Sequence, residues 1–181
     1  MWGRRINKTR SYENQVNEVK EFSYKTTAKD NALLVSVHNS INEEFEIPLK
    51  EFENHKNVLI DLSRVGMINS EGTRRFSKWL FSIEETLPNV QVKLEKLQPV
   101  IVRQFNLILT YFGKNVEISS IFVPYYCQHC DKDDNETLVT LNQLGGSVDQ
   151  AAFNLQSKPC KKCGSNMEPD VNEKYLFILK K

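Results

Sequence analysis

The chain has 181 residues, 40% of them apolar, which is enough to bury one ordinary domain core and leaves room for a smaller second module. Its formal net charge of +1 provides no overall attraction to nucleic acid, to a membrane surface or to an acidic substrate. No apolar run approaches the roughly 18 residues of a membrane span, and residues 1–20 lack the apolar segment of a signal peptide. We therefore expect a cytoplasmic protein.

Residues 1–20 are polar and mildly basic, so we expect a flexible arm, with a basic tether that docks on a partner as the alternative. The alternation from Glu21 to Thr27, the turn residues that follow and the apolar run Leu33 to Val37 predict an opening hairpin. Between Asn39 and His55, apolar residues at intervals of three and four predict a short helix that Pro48 breaks or kinks.

The apolar run Val58 to Leu62 predicts a central strand buried on both faces, followed by a loop that ends at Gly72. An amphipathic helix is predicted from Ser70 to Leu87, because apolar residues recur on one helical stripe until Pro88. The stripe comprises Phe76, Leu80, Ile83 and Leu87, with Trp79 at its edge. Phe81 lies on the opposite side with Arg74 and Lys78, either as a chance exposed residue or as part of a contact surface.

Three further elements are predicted in the first module: a strand at Val90–Leu94, a helix at Pro99–Phe112 and a last strand at Val116–Val123. The second helix is apolar around most of its circumference, so we expect the sheet to cover one side and the C-terminal module or a partner protein to cover the other. The order of elements predicts an α/β fold with a mixed sheet of four to five strands and a module boundary at Pro124.

The central segment D-L-S-R-V-G-M-I-N-S-E-G, followed by an amphipathic helix, resembles the motif of STAS domains, the bacterial anti-sigma factor antagonist family. The resemblance covers residues 21–123 and is strongest at Asp61, Leu62, Ser63, Val65, Ser70 and Gly72. It implies a STAS-like fold and a non-enzymatic signalling role that is exerted through contacts with another protein, either an anti-sigma factor with kinase activity or a scaffold component.

The resemblance also implies that Ser70 is the serine that such a kinase phosphorylates to switch partner binding. The expected contact surface is the loop 66–72 with the helix after it, and its candidate residues are Asn69, Glu71, Gly72, Arg74, Lys78 and Phe81. Asn69 stands where the family has aspartate, and Glu71 where it has a second serine. The simpler alternatives are that Ser70 caps the helix, or that the protein is a scaffold without phosphorylation.

The four cysteines form two C-x-x-C pairs, Cys127 with Cys130 and Cys160 with Cys163. Two such pairs supply four thiolates for one tetrahedral structural zinc ion, so residues 124–181 resemble a zinc ribbon. A redox dithiol or an iron–sulfur cluster is the less favoured alternative, because the surrounding sequence has neither a thioredoxin-like βαβ pattern nor a ferredoxin spacing. Strand-like residues at Glu136–Leu141 and Lys174–Leu179 predict a small antiparallel sheet, with Gly145–Gly146 in the loop between. His129 lies inside the first pair and is not expected to be a ligand.

Two other functions are weighed and not expected. Nucleic-acid binding conflicts with seven basic against eight acidic residues from Tyr125 to Lys181. An enzyme is not expected either, because the chain has no glycine-rich phosphate loop or nucleophile elbow, and its three histidines, His38, His55 and His129, are scattered.

Overall fold

A computed structural model describes residues 21–29, 31–108, 112–140, 143 and 155–180. The predicted N-terminal arm at residues 1–20 and the predicted loop with Gly145–Gly146 lie outside the described residues.

The first sheet has five strands in the same order in space as in the sequence. They are β1 (Ser23–Lys29), β2 (Ala32–Ile41), β3 (Asn57–Ile68), β4 (Gln91–Glu95) and β5 (Val116–Ile118). Strand β1 is antiparallel to β2, whereas β2 to β5 are parallel. The predicted opening hairpin and the predicted mixed α/β sheet are both confirmed.

Two helices, α1 (Ser70–Thr86) and α2 (Pro99–Ile108), pack into the core on one face of this sheet. In β3 the side chains of Val58, Ile60 and Leu62 are fully buried, whereas Leu59 between them is only half-buried. The prediction that this strand is buried on both faces is therefore wrong, because both helices cover the same side and no helix in the described part of the chain covers the other. The predicted stripe of α1 is confirmed, since Phe76, Leu80 and Ile83 all lie in the core.

The predicted helix between Asn39 and His55 is wrong. Strand β2 continues to Ile41, and the only helical structure described in this stretch is a single 3₁₀ turn at Leu49–Glu51. Phe45 and Phe52 are buried nonetheless, with ring centroids 5.5 and 5.7 Å from that of Trp79. The apolar spacing therefore arises because an irregular segment places these two phenylalanine side chains in the core, and not because the segment is a helix.

The predicted loop after Leu62 is also mostly strand. Strand β3 extends to Ile68, and the end of β2 pairs with it, Ser40 with Met67 and Ile41 with Ile68. Only Asn69 separates the strand from α1, so the expected contact loop 66–72 is largely held by backbone pairing.

A second, antiparallel sheet has the order β7-β6-β9-β8. Its strands are β6 (Ser120–Cys127), β7 (Lys132–Thr140), β8 (Lys158–Pro159) and β9 (Asn166–Pro169). The single strand predicted at Val116–Val123 is in fact two, because β5 ends the first sheet and β6 runs through Pro124 in the second. The segment predicted as a strand at Lys174–Leu179 forms a 3₁₀ helix, Glu173–Lys180. The division into domains at residue 124 stays a prediction.

Helix α2 is covered on two sides, as its apolar circumference predicts. One side packs on the first sheet, and the 3₁₀ helix packs on another, where Asn106 Nδ2 donates to the carbonyl of Tyr175 at 3.0 Å. The hydroxyl of Tyr175 in turn donates to the carbonyl of Phe122 in β6 at 2.6 Å. The C-terminal segment therefore covers part of this side, whereas the side chain of Leu107 is 82% exposed. The helix is described to Ile108, short of the predicted Phe112, and residues 109–111 lie outside the described part of the chain.

Helix α1 begins in direct contact with the end of β2. A Cβ added at Gly72 would lie 2.0 Å from the carbonyl oxygen of Ile41 and 2.7 Å from the backbone nitrogen of Asn42. Backbone atoms cannot move aside as side chains do, so only glycine fits at this position.

We expect Gly72→Ala to lower the free energy of unfolding by about 3 kcal/mol, because the methyl group forces β2 and α1 apart. Urea denaturation measures this loss. Gly66→Ala is the matched control, since its Cβ meets only the carbonyl oxygen of Asn39 at 3.8 Å, an ordinary contact distance. Equal stability of the two variants would contradict the close approach.

Candidate functional site

The first cysteine pair lies in the tight turn between β6 and β7. Strand β6 ends at Cys127, and the backbone N–H of Asp131 donates to the carbonyl of Cys127 at 2.9 Å. Asp131 adopts a left-handed conformation with φ of +50°, and its carboxylate accepts a 2.7 Å hydrogen bond from the hydroxyl of Tyr126. This bond holds a non-glycine residue in the conformation that closes the turn.

The second pair repeats this turn between β8 and β9. The backbone N–H of Gly164 donates to the carbonyl of Cys160 at 2.8 Å, and Gly164 has φ of +75°. The N–H of Lys162 donates to Sγ of Cys160 at 3.4 Å. In each turn, the residue after the second cysteine is left-handed and donates to the first cysteine, so both pairs present their sulfurs in the same way.

Pairing of β6 with β9, Tyr126 opposite Glu168, brings the two turns together. The four sulfurs lie within 4.8 Å of one another; Cys127 and Cys163 are 3.5 Å apart, and Cys130 and Cys160 are 3.9 Å apart. Metal–sulfur bonds of about 2.3 Å in a tetrahedron require sulfur separations of about 3.8 Å. The four predicted ligands are thus placed to hold one metal ion, and the exposed His129 is outside the cluster.

The thiols differ in their readiness to ionise. The hydroxyl and the backbone N–H of Ser165 lower the pKa of Cys163 to about 6. The pKa of Cys130 is raised to about 12, first by its hydrogen bond with Cys163 and then by burial. A bound divalent cation attracts the thiolate charge and therefore lowers the pKa of Cys130, so metal binding releases protons.

The second candidate site is the start of α1, where the residue that caps the helix is Asn69. Its Oδ1 accepts the backbone N–H of Gly72 at 2.7 Å, and its Nδ2 donates to a carboxylate oxygen of Glu43 at 2.9 Å. The interpretation of Ser70 as the cap is therefore wrong: Ser70 is the first helical residue, and its side chain is exposed. The hydrogen bond from Asn69 is the main reason that the pKa of Glu43 lies below its ordinary value.

The remaining predicted contact residues lie along the first three turns of α1. Glu71 accepts hydrogen bonds from the guanidinium groups of both Arg74 and Arg75, and these bonds, in that order, lower its pKa to about 2. Arg74, Lys78 and Phe81 are exposed, Phe81 by 40%. Gly72 is buried against β2, so it positions the helix and cannot itself contact a partner.

Sequence reasoning missed several charged residues near these sites. Arg75 follows Glu71 by four positions, a spacing that places two helical residues on one side and was a usable signal. The contact of Glu43 with Asn69 had no such signal, because it depends on the unpredicted extension of β2. Asp61 is named in the sequence analysis only as part of the STAS-like motif, whereas its Oδ2 accepts a 2.6 Å hydrogen bond from Nζ of Lys96.

No protein-family model matches this chain, and no curated protein matches it either. The resemblance to STAS domains therefore rests on the central motif and on the order of elements. No helix in the described part of the chain has the length and apolar character that a bilayer span needs.

For the metal centre, we expect the purified protein to contain about one equivalent of bound metal, and Cys160→Ser to lose it together with thermal stability. Elemental analysis and thermal denaturation measure the two effects. Lys161→Gln is the matched control, because Lys161 is an exposed residue of the same turn that offers no sulfur. A wild-type protein with much less than one equivalent, or a serine variant that retains full metal, would contradict the site.

For the helix start, Asn69→Asp introduces the residue that the STAS motif has at this position and keeps an oxygen for the N–H of Gly72. It removes the donor to Glu43 and places two carboxylates side by side, so we expect the pKa of Glu43 to rise. NMR-monitored pH titration of the Glu43 side chain measures the shift. Asn69→Ala should also raise this pKa, but with a loss of about 1 kcal/mol of stability from the missing cap. An unchanged pKa in both variants would refute the role of Asn69.

Proposed function

We propose that this protein is a non-enzymatic bacterial regulatory protein that acts through contacts of α1 with another protein. The observation that carries the proposal is one exposed helical stripe. Ser70, Arg74, Lys78 and Phe81 follow one another at intervals of four, four and three residues, which places them on one face of α1. This face combines two cations with a large exposed ring, 40% accessible, at its far end.

The charges and the exposed ring of this stripe indicate which kind of surface a partner protein must have. Arginine and aromatic residues, phenylalanine included, are enriched in protein interfaces, and a few such residues that the partner buries supply most of the binding energy. The complementary surface carries acidic groups opposite Arg74 and Lys78, and an apolar pocket for Phe81. An anti-sigma factor or a scaffold component with such a surface is the proposed partner, in line with the resemblance to STAS domains.

The sharper version of the proposal is a switch at Ser70. A phosphate on Ser70 lies one helical turn before Arg74 and at the positive end of α1, so it competes with Glu71 for that guanidinium. The arginine then turns toward the phosphate, and the charge pattern offered to the partner changes. Against this, Glu71 and Glu43 add negative charge near the same helix end, which opposes a phosphate there. The version without phosphorylation therefore remains the alternative.

The cysteine cluster has a structural role in this proposal, with zinc as its ion. An all-sulfur set in two tight turns is the ligand set of closed structural zinc sites, which leave no open position for a substrate. The zinc-bound turns hold the second sheet together, and that sheet supports α2. Nucleic-acid binding is the less favoured function, because acidic residues, Asp131 among them, crowd the first cysteine turn.

The test uses the tagged full-length protein to capture partners from lysate of the native host, followed by affinity measurement with the captured protein. We expect Phe81→Ser to weaken binding by about tenfold or more, since an anchor of this type contributes at least about 1.4 kcal/mol. Lys93→Gln changes an exposed residue on the face of the first sheet opposite α1; it is the control and should bind as wild type does. Wild-type affinity of Phe81→Ser would refute the α1 surface.

The Ser70→Ala and Ser70→Asp variants then separate the two versions. The phosphorylation switch predicts that Ser70→Ala binds as wild type does and that Ser70→Asp loses affinity. If both variants bind the captured partner equally well, the scaffold version without a switch is supported.

A further inference from the structure

The face of the first sheet opposite the helices carries a row of polar side chains across three strands. Lys25 in β1 is paired with Ser36 in β2, and Ser36 is paired with Asp61 in β3. Strand side chains alternate between faces, so these three point to the same, open side. Their positions are independent of the α1 surface proposed above.

A bulge in β3 adds an arginine to this row. Between the pairs Ser36–Asp61 and His38–Arg64, β3 has one residue more than β2. Leu62 points into the core, whereas the next two residues, Ser63 and Arg64, are half-buried and exposed. The extra residue thus turns two successive side chains outward, as bulges next to binding sites often do.

The acidic group of the row is already neutralised. Asp61 accepts hydrogen bonds from Nζ of Lys96 at 2.6 Å and from the backbone N–H of Ser63 at 2.9 Å, one on each carboxylate oxygen. Lys96 reaches Asp61 from a left-handed backbone conformation with φ of +54°, and its own N–H donates to Oγ of Ser120 at 2.9 Å. A non-glycine residue rarely adopts this conformation, and here it fixes the lysine over the sheet.

These residues line a groove of about 440 Å³, to which Lys25, Ser36, His38, Ser63, Arg64 and Lys96 contribute. Grooves of this volume suit small ligands. Because Lys96 offsets Asp61, the charges of Lys25 and Arg64 are left over, and neither forms an ion pair with any residue that the structure describes. Two uncompensated cations beside serine hydroxyls form an environment for an anion.

A second groove on the same face is larger, about 630 Å³, but its charges are balanced. Its Lys93 pairs with Glu117 at 3.3 Å, Glu95 adds an acid, and Leu34 and Leu59 make part of its wall apolar. Of these two grooves, only the one that Lys25 and Arg64 line has an excess of positive charge.

We propose that the groove formed by Lys25, Ser36, His38, Ser63 and Arg64 binds the phosphate group of a small soluble molecule. Arg64 donates two parallel hydrogen bonds to the phosphate oxygens, and Lys25 supplies a second cation from the edge strand. The hydroxyls of Ser36 and Ser63 donate to the remaining oxygens, and Lys96 offsets the charge of Asp61.

The test is an NMR titration of the full-length, metal-loaded protein with inorganic phosphate, glycerol 3-phosphate and, as the uncharged reference, glycerol, all at constant ionic strength. We expect saturable shifts of backbone amide signals clustered at Lys25, Ser36, Ser63 and Arg64 with both phosphates and none with glycerol. Tighter binding of glycerol 3-phosphate assigns the groove to phosphate esters, and equal binding assigns it to free phosphate; both results support the site.

Arg64→Gln and Lys25→Gln should each weaken binding by about tenfold or more, because each removes a charge-assisted contact. Lys93→Gln is the matched control, since it removes an exposed cation from the second groove on the same face and should leave binding unchanged. Three results would overturn the proposal: non-saturable shifts, equal losses in Lys93→Gln and Arg64→Gln, or duplex DNA that shifts the same signals at lower concentrations than either phosphate.

Discussion

The contact between Gly72 and the carbonyl of Ile41 sets the geometry of the first module. The same carbonyl accepts the backbone N–H of Asn69 at 3.2 Å, so the end of β2 fixes both the last residue before α1 and its first turn. Once that turn is fixed, the direction of the helix follows, and so does the side on which Phe76 and Phe81 lie. A side chain at position 72 would displace the buried and the exposed stripe together.

The second sheet has a different source of stability. Its strand β8 has only two residues, and β9 has four, so these elements bury little apolar surface by themselves. Two tight turns bring four sulfurs together at the end of this sheet, where a larger apolar core is missing from the described residues. Hydrogen bonds of Tyr175 with Asn106 in α2 and Phe122 in β6 connect the C-terminal segment to both. We therefore expect folding of this part of the chain to be coupled to metal binding at the four cysteines.

The sequence predicted the features that depend on local spacing. The stripe of α1, the opening hairpin and the four cysteines each follow from intervals between neighbouring residues, and all three are found. Features that depend on residues distant in the sequence were missed. Phe45 and Phe52 have helical spacing because both rings pack against Trp79. Strand β3 is longer than predicted because β2 continues to pair with it. Asn69 rather than Ser70 caps the helix, because β3 stays paired up to Ile68 and the helix begins directly after Asn69.

The prediction that β3 is buried on both faces failed because hydrophobic residues alone do not reveal which side the helices cover. Leu59 lies among apolar neighbours in the sequence, yet its side chain faces the side of the sheet opposite the helices and lines the larger groove. Neighbouring residues of β3 therefore have different roles. On the covered side, size and shape decide which residues fit. On the open side, charge decides which residues fit, because the strand order places Asp61 beside Ser36 and within reach of Lys96. The bulge before Arg64 adds a positive charge to that face, while Leu62 and Val65 on either side of the bulge stay in the core.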